Sequence, residues 1–198
     1  MQKPLARNAE ELDRLLGRFL RRYAFVRLDN IASFAERLAE FLKAPTLPRD
    51  PFQLLPSLGI RLRRRTLSAP SRAIWTRTDN CYTIYCAAHE SSDSVAFSLW
   101  HEFFEILAHH PNFPTHLSPF WEERLANKFA TNLLMPEQAV RQLERKFASN
   151  PDCLVPVLAE KYGVSRTAMR KRLQELGLLL PRSRHSRPQR KHSQKEEA

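Results

Sequence analysis

A histidine and two glutamates at helical spacing interrupt the apolar stretch FSLWHEFFEILAHH. Glu102 directly follows His101, and Glu105 stands four residues after the histidine. Residues four apart share one face of an α-helix, so His101 and Glu105 could bind the same metal ion. A glutamate next to the first ligand can take a proton from a metal-bound water. The spacing therefore predicts metal-dependent hydrolysis, with His101 and Glu105 as metal ligands and Glu102 as the general base.

The motif H-E-x-x-E arises easily by chance, and the exposed face of an ordinary helix would also produce it. Its surroundings favour the functional interpretation. The polar residues are flanked by large apolar side chains, namely Phe97, Leu99, Trp100, Phe103, Phe104, Ile106 and Leu107. Charged side chains are rarely buried unless they are paired or bind a ligand. We therefore expect this polar stripe to have a partner elsewhere in the fold.

The candidate partner is the segment WEERLANKFATNLLMP, about twenty residues downstream. Its pattern predicts a helix from roughly 119 to 134, with Glu122 and Glu123 near the beginning. If this helix packs against the first, one of the two carboxylates can face His101. A glutamate from a separate helix is a common third ligand of catalytic zinc, and the sequence leaves both glutamates open for that role.

The two segments together resemble the ImmA/IrrE family of metallo-endopeptidases. That family has the motif F-x-x-x-H-E-x-x-H, followed by E-x-x-A-N-x-F-A-x-x-L-L-M-P. The resemblance extends over roughly 28–180, because LPRDPFQLLPSLGIRL upstream and GVSRTAMRKRLQELGLL downstream are also similar. It implies a cytoplasmic zinc-dependent endopeptidase that cleaves a helix-turn-helix transcriptional repressor. Cleavage would relieve repression in a stress response or during mobile-element transfer.

Residue by residue, the resemblance implies that His101, Glu105 and Glu123 bind Zn²⁺ and that Glu102 is the catalytic base. Glu123 matches the family glutamate because it stands three residues before Ala126-Asn127, and Glu122 is the alternative if the register shifts.

The chain departs from the family pattern at Glu105, where the family has a second histidine. Two carboxylates and one imidazole make a more anionic site, which could admit another divalent metal such as manganese or iron. The added charge should also raise the pKa of a metal-bound water. His109, one turn further along, could supply an imidazole or could be a helix-terminal histidine near the helix dipole. The alternative function is a catalytically inactive, peptidase-like regulator that binds protein or DNA.

The surrounding sequence predicts an α+β fold, with a mainly helical zincin-like peptidase domain and a small three-stranded antiparallel sheet. Helix-turn-helix-like helices follow at the C-terminal side, with a turn at Gly163 and a cap at Ser165. The predicted division is N-terminal helices in 1–44, the metallopeptidase-like domain in 45–148, helix-turn-helix-like helices in 149–180 and a disordered basic tail in 181–198.

The net charge of +11 permits contact with nucleic acid or with an acidic protein. Basic residues of the C-terminal helices could contact DNA phosphates or could simply be solvated, namely Arg166, Arg170, Lys171 and Arg172. The basic tail allows the same two interpretations. The three cysteines have no CxxC spacing and predict reduced thiols. No apolar run approaches the roughly 18 residues of a membrane-spanning helix, so no membrane contact is expected.

Overall fold

The computed structural model describes residues 4–44, 47–68, 71–78, 80–147 and 151–180. Within these residues, helices precede and follow a small sheet along the chain, which confirms the predicted α+β class. The elements in chain order are α1 (Ala9–Leu20), α2 (Ile31–Phe41), α3 (Pro51–Ser57), β1 (Arg61–Arg65), β2 (Ala73–Thr78), β3 (Cys81–Ala87), α4 (Ser92–Ala108), α5 (Pro119–Leu134), α6 (Glu137–Phe147), α7 (Pro151–Tyr162) and α8 (Arg166–Glu175). The tail predicted to be disordered, 181–198, lies outside the described residues.

The sheet is mixed, and the prediction of three antiparallel strands is wrong for β1. The strand order is β1-β3-β2, with β3 in the centre. β2 pairs with β3 in the antiparallel direction, so that Trp75 lies opposite Ile84. β1 pairs with β3 in the parallel direction. Strand direction alternates along the chain as expected, but β3 inserts between β1 and β2. The alternating sequence pattern carries no information about this spatial order.

The central strand and helix α4 lie in the middle of one hydrophobic core. Nearly every residue of β3 is buried. The buried cluster is continuous from Ala6 to Leu173. Trp100, Phe103 and Phe104 of α4 are fully buried within it. Because α4 packs against α5 on one side and against β2 and β3 on the other, the sheet and α5 flank the polar stripe of α4.

The C-terminal helices have the predicted turn and cap. Gly163 has a positive φ of 60°, a conformation that glycine adopts at little cost. The Ser165 side chain accepts a hydrogen bond from the N–H of Ala168 and caps α8. The expectation that Arg172 could contact phosphates is wrong. Its guanidinium is buried and donates to the carbonyl of Met135 and to Oδ1 of Asn132.

Two further sequence expectations concern the cysteines and the membrane. Cys81 and Cys86 are buried free thiols, and Cys153 is an exposed free thiol. Among the helices that the structure describes, none combines the length and the apolar character needed to cross a membrane.

Candidate metal centre

Helix α4 presents its polar stripe to a cleft between α5 and β2. Ser91 caps this helix by accepting a hydrogen bond from the N–H of Ser94. One donor atom each of His101, Glu102 and Glu105 lie within 4.8 Å of one another. The apolar sides of the helix are buried in the core, and these three side chains line the polar cleft.

His101 is the point where two carboxylates from different helices meet. Its Nε2 atom lies 3.3 Å from Oε1 of Glu105 and 3.4 Å from Oε2 of Glu123. Donor atoms at about 2.0–2.1 Å from a tetrahedral zinc ion are about 3.3–3.4 Å apart, so both separations suit such an ion. One imidazole and two carboxylates are also chemically suitable ligands for a divalent cation. Both separations from His101 are therefore compatible with a bound divalent cation, although the ligand atoms that lie within 4.8 Å of one another belong to His101, Glu102 and Glu105 and not to Glu123.

A tryptophan of the edge strand orients the Glu105 carboxylate. The indole Nε1–H of Trp75 donates to Oε2 of Glu105 at 3.1 Å. The other oxygen of the carboxylate is the one that lies near His101. Sequence reasoning missed Trp75, since its only signal was an aromatic residue in a predicted strand. That signal gives no indication that the indole reaches α4.

An asparagine orients Glu123 in the same way. The Nδ2 of Asn127 donates to Oε1 of Glu123 at 2.8 Å, which leaves Oε2 near His101. Each carboxylate thus has one oxygen held by a neighbouring N–H and the other directed to the imidazole. Groups that hold the unused side of a ligand in this way are typical of metal sites in proteins.

The Glu102 carboxyl is only 8% exposed. Burial and, to a smaller extent, the negative charge of Glu105 raise its pKa to about 7. The charge of His101 and the backbone N–H of Trp75 oppose this rise. Burial lowers the pKa of His101, but its hydrogen bond to Glu105 and the charges of Glu123 and Glu105 outweigh that effect and raise the pKa above its ordinary value. The pKa values of both groups are therefore raised, and Glu102 exchanges its proton near neutral pH.

The alternatives that the sequence left open lie beside this cluster. Oε1 of Glu122 is 3.3 Å from Nδ1 of His109. The His109 ring packs edge-on against Trp75, with the two ring centroids 5.3 Å apart, and its Nδ1 lies 2.9 Å from the backbone carbonyl of Glu105. Glu122 therefore contacts His109, whose ring packs on Trp75, whereas Glu123 reaches His101.

His110, the next residue along the chain, hydrogen-bonds to backbone groups outside the cluster. Its Nδ1 accepts a hydrogen bond from the N–H of Asn112, and its Nε2 lies 3.0 Å from the carbonyl of Asp13. With Nδ1 accepting, Nε2 carries the proton and donates to that carbonyl. The side chain is buried and links the end of α4 to α1.

The cleft in front of the cluster has a volume of about 630 Å³. Ser71 to Trp75 line it on the side of the sheet, and Phe97 and Asn127 lie on the helical sides. Since β2 is an edge strand, its outer edge is not paired with another strand of the sheet.

Comparisons with known proteins bear on the family and the fold. A family model described as IrrE N-terminal-like domain, of the Peptidase M78 family, matches residues 57–174. A solved structure described as a Mycobacterium tuberculosis transcriptional regulator aligns with a TM-score of 0.52 and 15% sequence identity. The alignment covers 82% of this chain but only 51% of that chain, so this chain spans about half of its length. At this identity the likeness concerns the fold alone. No curated protein matches the sequence.

Proposed function

Because the chain belongs to the IrrE N-terminal-like family of Peptidase M78, we propose that it is a metal-dependent endopeptidase. The observation that carries the proposal is the convergence of His101 with one oxygen each of Glu105 and Glu123, beside a buried Glu102. In this proposal the first three residues hold one divalent cation and Glu102 is the general base.

The chain's own residues would perform the proton transfers. When bound, the cation supplies Lewis acidity toward water and toward the scissile carbonyl. Glu102 takes the proton of the attacking water and later delivers it to the leaving amine. Burial raises the pKa of Glu102 in the metal-free protein, and a raised pKa makes the carboxylate a stronger base toward water.

The ligand set bears on the identity of the metal. We propose Zn²⁺, as in the family that the motifs resemble. Two carboxylates in place of one make the site harder and more anionic, so manganese or iron is the alternative occupant.

The substrate is proposed to be a protein segment in extended conformation. The free edge of β2 can pair with such a segment through main-chain hydrogen bonds, and it lies along the cleft. The resemblance to ImmA/IrrE implies a helix-turn-helix transcriptional repressor, and a fold neighbour described as a transcriptional regulator agrees with a role in transcription. We propose the cytoplasm as the location, where such a repressor acts.

The proposal is tested by metal content and cleavage together. We expect one equivalent of metal in the purified protein and its loss in His101→Ala. Glu102→Gln should keep the metal but lose cleavage of the repressor by at least about 100-fold, because it removes the general base. Cleavage at the normal rate by Glu102→Gln would exclude the assigned role.

The second candidate is an inactive regulator with the same fold. Glu105 in the place of the family histidine favours it, and so do the exposed basic residues Arg166 and Lys171 on α8. This candidate predicts salt-dependent binding of duplex DNA that does not depend on His101. Fluorescence anisotropy at low salt with wild type and His101→Ala distinguishes it from the peptidase, and absence of binding would exclude DNA as the partner.

A further inference from the structure

A basic pocket of about 330 Å³ lies between α5 and α8, next to the candidate metal centre. It shares Phe97 and Asn127 with the cleft in front of His101. Asn127 is also the residue that holds the Glu123 carboxylate. A chain segment in the cleft would therefore have this pocket within reach of its side chains.

Positive charge exceeds negative charge in the lining of the basic pocket. It contains four cationic side chains and one acidic side chain, namely Arg124, Lys128, Lys171, Arg172 and Glu175. Glu175 lies 3.1 Å from Lys128 and 3.7 Å from Arg172. In the part of the chain that the structure describes, Arg124 and Lys171 form no ion pair within 4 Å.

Two of the cations are held in place by their surroundings. The Arg124 guanidinium lies 5.4 Å from the ring centroid of Phe120 and 5.2 Å from that of Trp121. Arg172 is 5% exposed and donates to the carbonyl of Met135 at 3.0 Å. A binding site with fixed side chains loses less conformational entropy when a ligand binds.

We propose that the basic pocket binds an acidic side chain of the protein segment that occupies the metal cleft. The inference rests on the proposed peptidase function, because it assigns a specificity pocket to that substrate. The chemistry recognised is a carboxylate, which the unpaired charges of Arg124 and Lys171 complement.

The shape of the site favours a peptide over nucleic acid. A DNA duplex is too wide to enter a pocket of about 330 Å³, whereas a single side chain can enter it. Here the charges line a concavity, and one of them, Arg172, is buried. The volume suits one or two side chains, and Leu28 and Phe97 add apolar walls that suit the stem of a glutamate.

The test uses the full chain, loaded with zinc and carrying Glu102→Gln so that bound peptide is not cut. Two short fluorescein-labelled peptides are compared by anisotropy, one with a central Asp-Glu pair and one with Asn-Gln at the same positions. We expect the acidic peptide to bind roughly two- to fivefold more tightly, as for one well-placed ion pair. Lys171→Glu should abolish this preference, whereas Lys171→Arg should keep it.

Lys161→Glu is the matched control, since Lys161 is exposed at the end of α7, outside the pocket, and the charge change is the same. The proposal is overturned if neither peptide binds, if both bind equally, or if the two glutamate variants lose the preference equally. Lys171-dependent binding of a labelled DNA duplex without peptide preference would also overturn it, in favour of nucleic acid.

Failure of the pocket and failure of the peptidase function can be told apart. Peptide preference that depends on Lys171, in a protein whose wild type cleaves nothing, supports the pocket and contradicts the peptidase function. Cleavage by the wild type of both peptides at equal rates, with no preference in binding, contradicts the pocket alone.

Discussion

Each carboxylate at the candidate metal centre directs a single oxygen to His101. The second oxygen of Glu105 accepts from the Trp75 indole, and the second oxygen of Glu123 accepts from Asn127. Because these N–H groups occupy the other oxygens, each glutamate presents one free oxygen to His101.

The first residue-scale prediction concerns Trp75. Trp75→Phe keeps an aromatic ring in the sheet but removes the N–H that holds Glu105. We expect metal affinity to fall about 10- to 100-fold, as for other changes to groups that orient metal ligands. Competition with a fluorescent chelator measures this affinity. Trp121→Phe, an exposed change away from the ligands, is the control, and equal affinities in the two variants would contradict the role of Trp75.

The second residue-scale prediction separates two neighbouring glutamates. Glu123→Gln should lower the affinity for zinc by more than the roughly 10- to 100-fold expected for loss of a group that only orients a ligand. The reason is that an amide oxygen is a much poorer metal ligand than a carboxylate. Glu122→Gln makes the same chemical change at a side chain that contacts His109. Isothermal titration with zinc should show near-normal affinity for Glu122→Gln. The reverse order would assign the third ligand to Glu122.

At the scale of elements, helix α4 buries the carboxyl of Glu102, and burial of its charged form lowers the free energy of unfolding. A Glu102 pKa of about 7 means that the folded protein retains a proton that the unfolded chain releases near its ordinary pKa of 4.5. The stability that this proton provides is present below pH 4.5 and is lost as the pH rises toward 7. The raised pKa of His101 acts in the same direction, so the metal-free protein should become less stable from pH 5 to pH 8.

Glu102→Gln tests this cost directly, because glutamine has no charge to bury. In the presence of EDTA at pH 8, we expect the variant to be more stable than wild type by on the order of 1–3 kcal/mol. The difference should shrink toward pH 5, where the wild-type carboxyl is protonated in the fold. Urea denaturation followed by circular dichroism measures it. A pH-independent difference would show that burial of the charge is not its cause.

The sheet illustrates how much an element pattern can predict. The sequence predicted a small sheet of three strands, and the described residues form three strands. Their partners were not predictable, because a strand's own residues determine which face is buried but not which neighbour supplies its hydrogen bonds. The position of β2 at the edge follows from that pairing, and it brings Trp75 to the metal centre.

At the scale of the whole molecule, the C-terminal helices are tied to α5 by a buried cation. Arg172 of α8 donates to the Met135 carbonyl and to the Asn132 side chain. These hydrogen bonds join the predicted C-terminal part, 149–180, to the predicted metallopeptidase-like domain, 45–148. The hydrophobic core is also continuous across the boundary between the two parts. The division itself stays a prediction.

Arg172→Leu should therefore destabilise the whole fold. It leaves two buried acceptors without donors, which should lower the free energy of unfolding by about 2–4 kcal/mol. Arg166→Leu, at an exposed position of the same helix, should change it by less than about 0.5 kcal/mol. Chemical denaturation of both variants measures the two values. A small effect of Arg172→Leu would mean that the C-terminal helices are held mainly by apolar packing.

The sequence alone determined the features of this protein that depend on local spacing. Helical periodicity places His101 and Glu105 one turn apart with Glu102 beside them, and the position of Ser165 predicted the cap of α8. Spacing left Glu122 and Glu123 open and the family resemblance implied Glu123, but only the tertiary structure shows that Glu123 reaches His101 and that Trp75 holds Glu105. Adjacent residues on a helix point about 100° apart, so the choice between them depends on how α5 packs against α4. That packing is determined by long-range contacts, which local spacing does not encode.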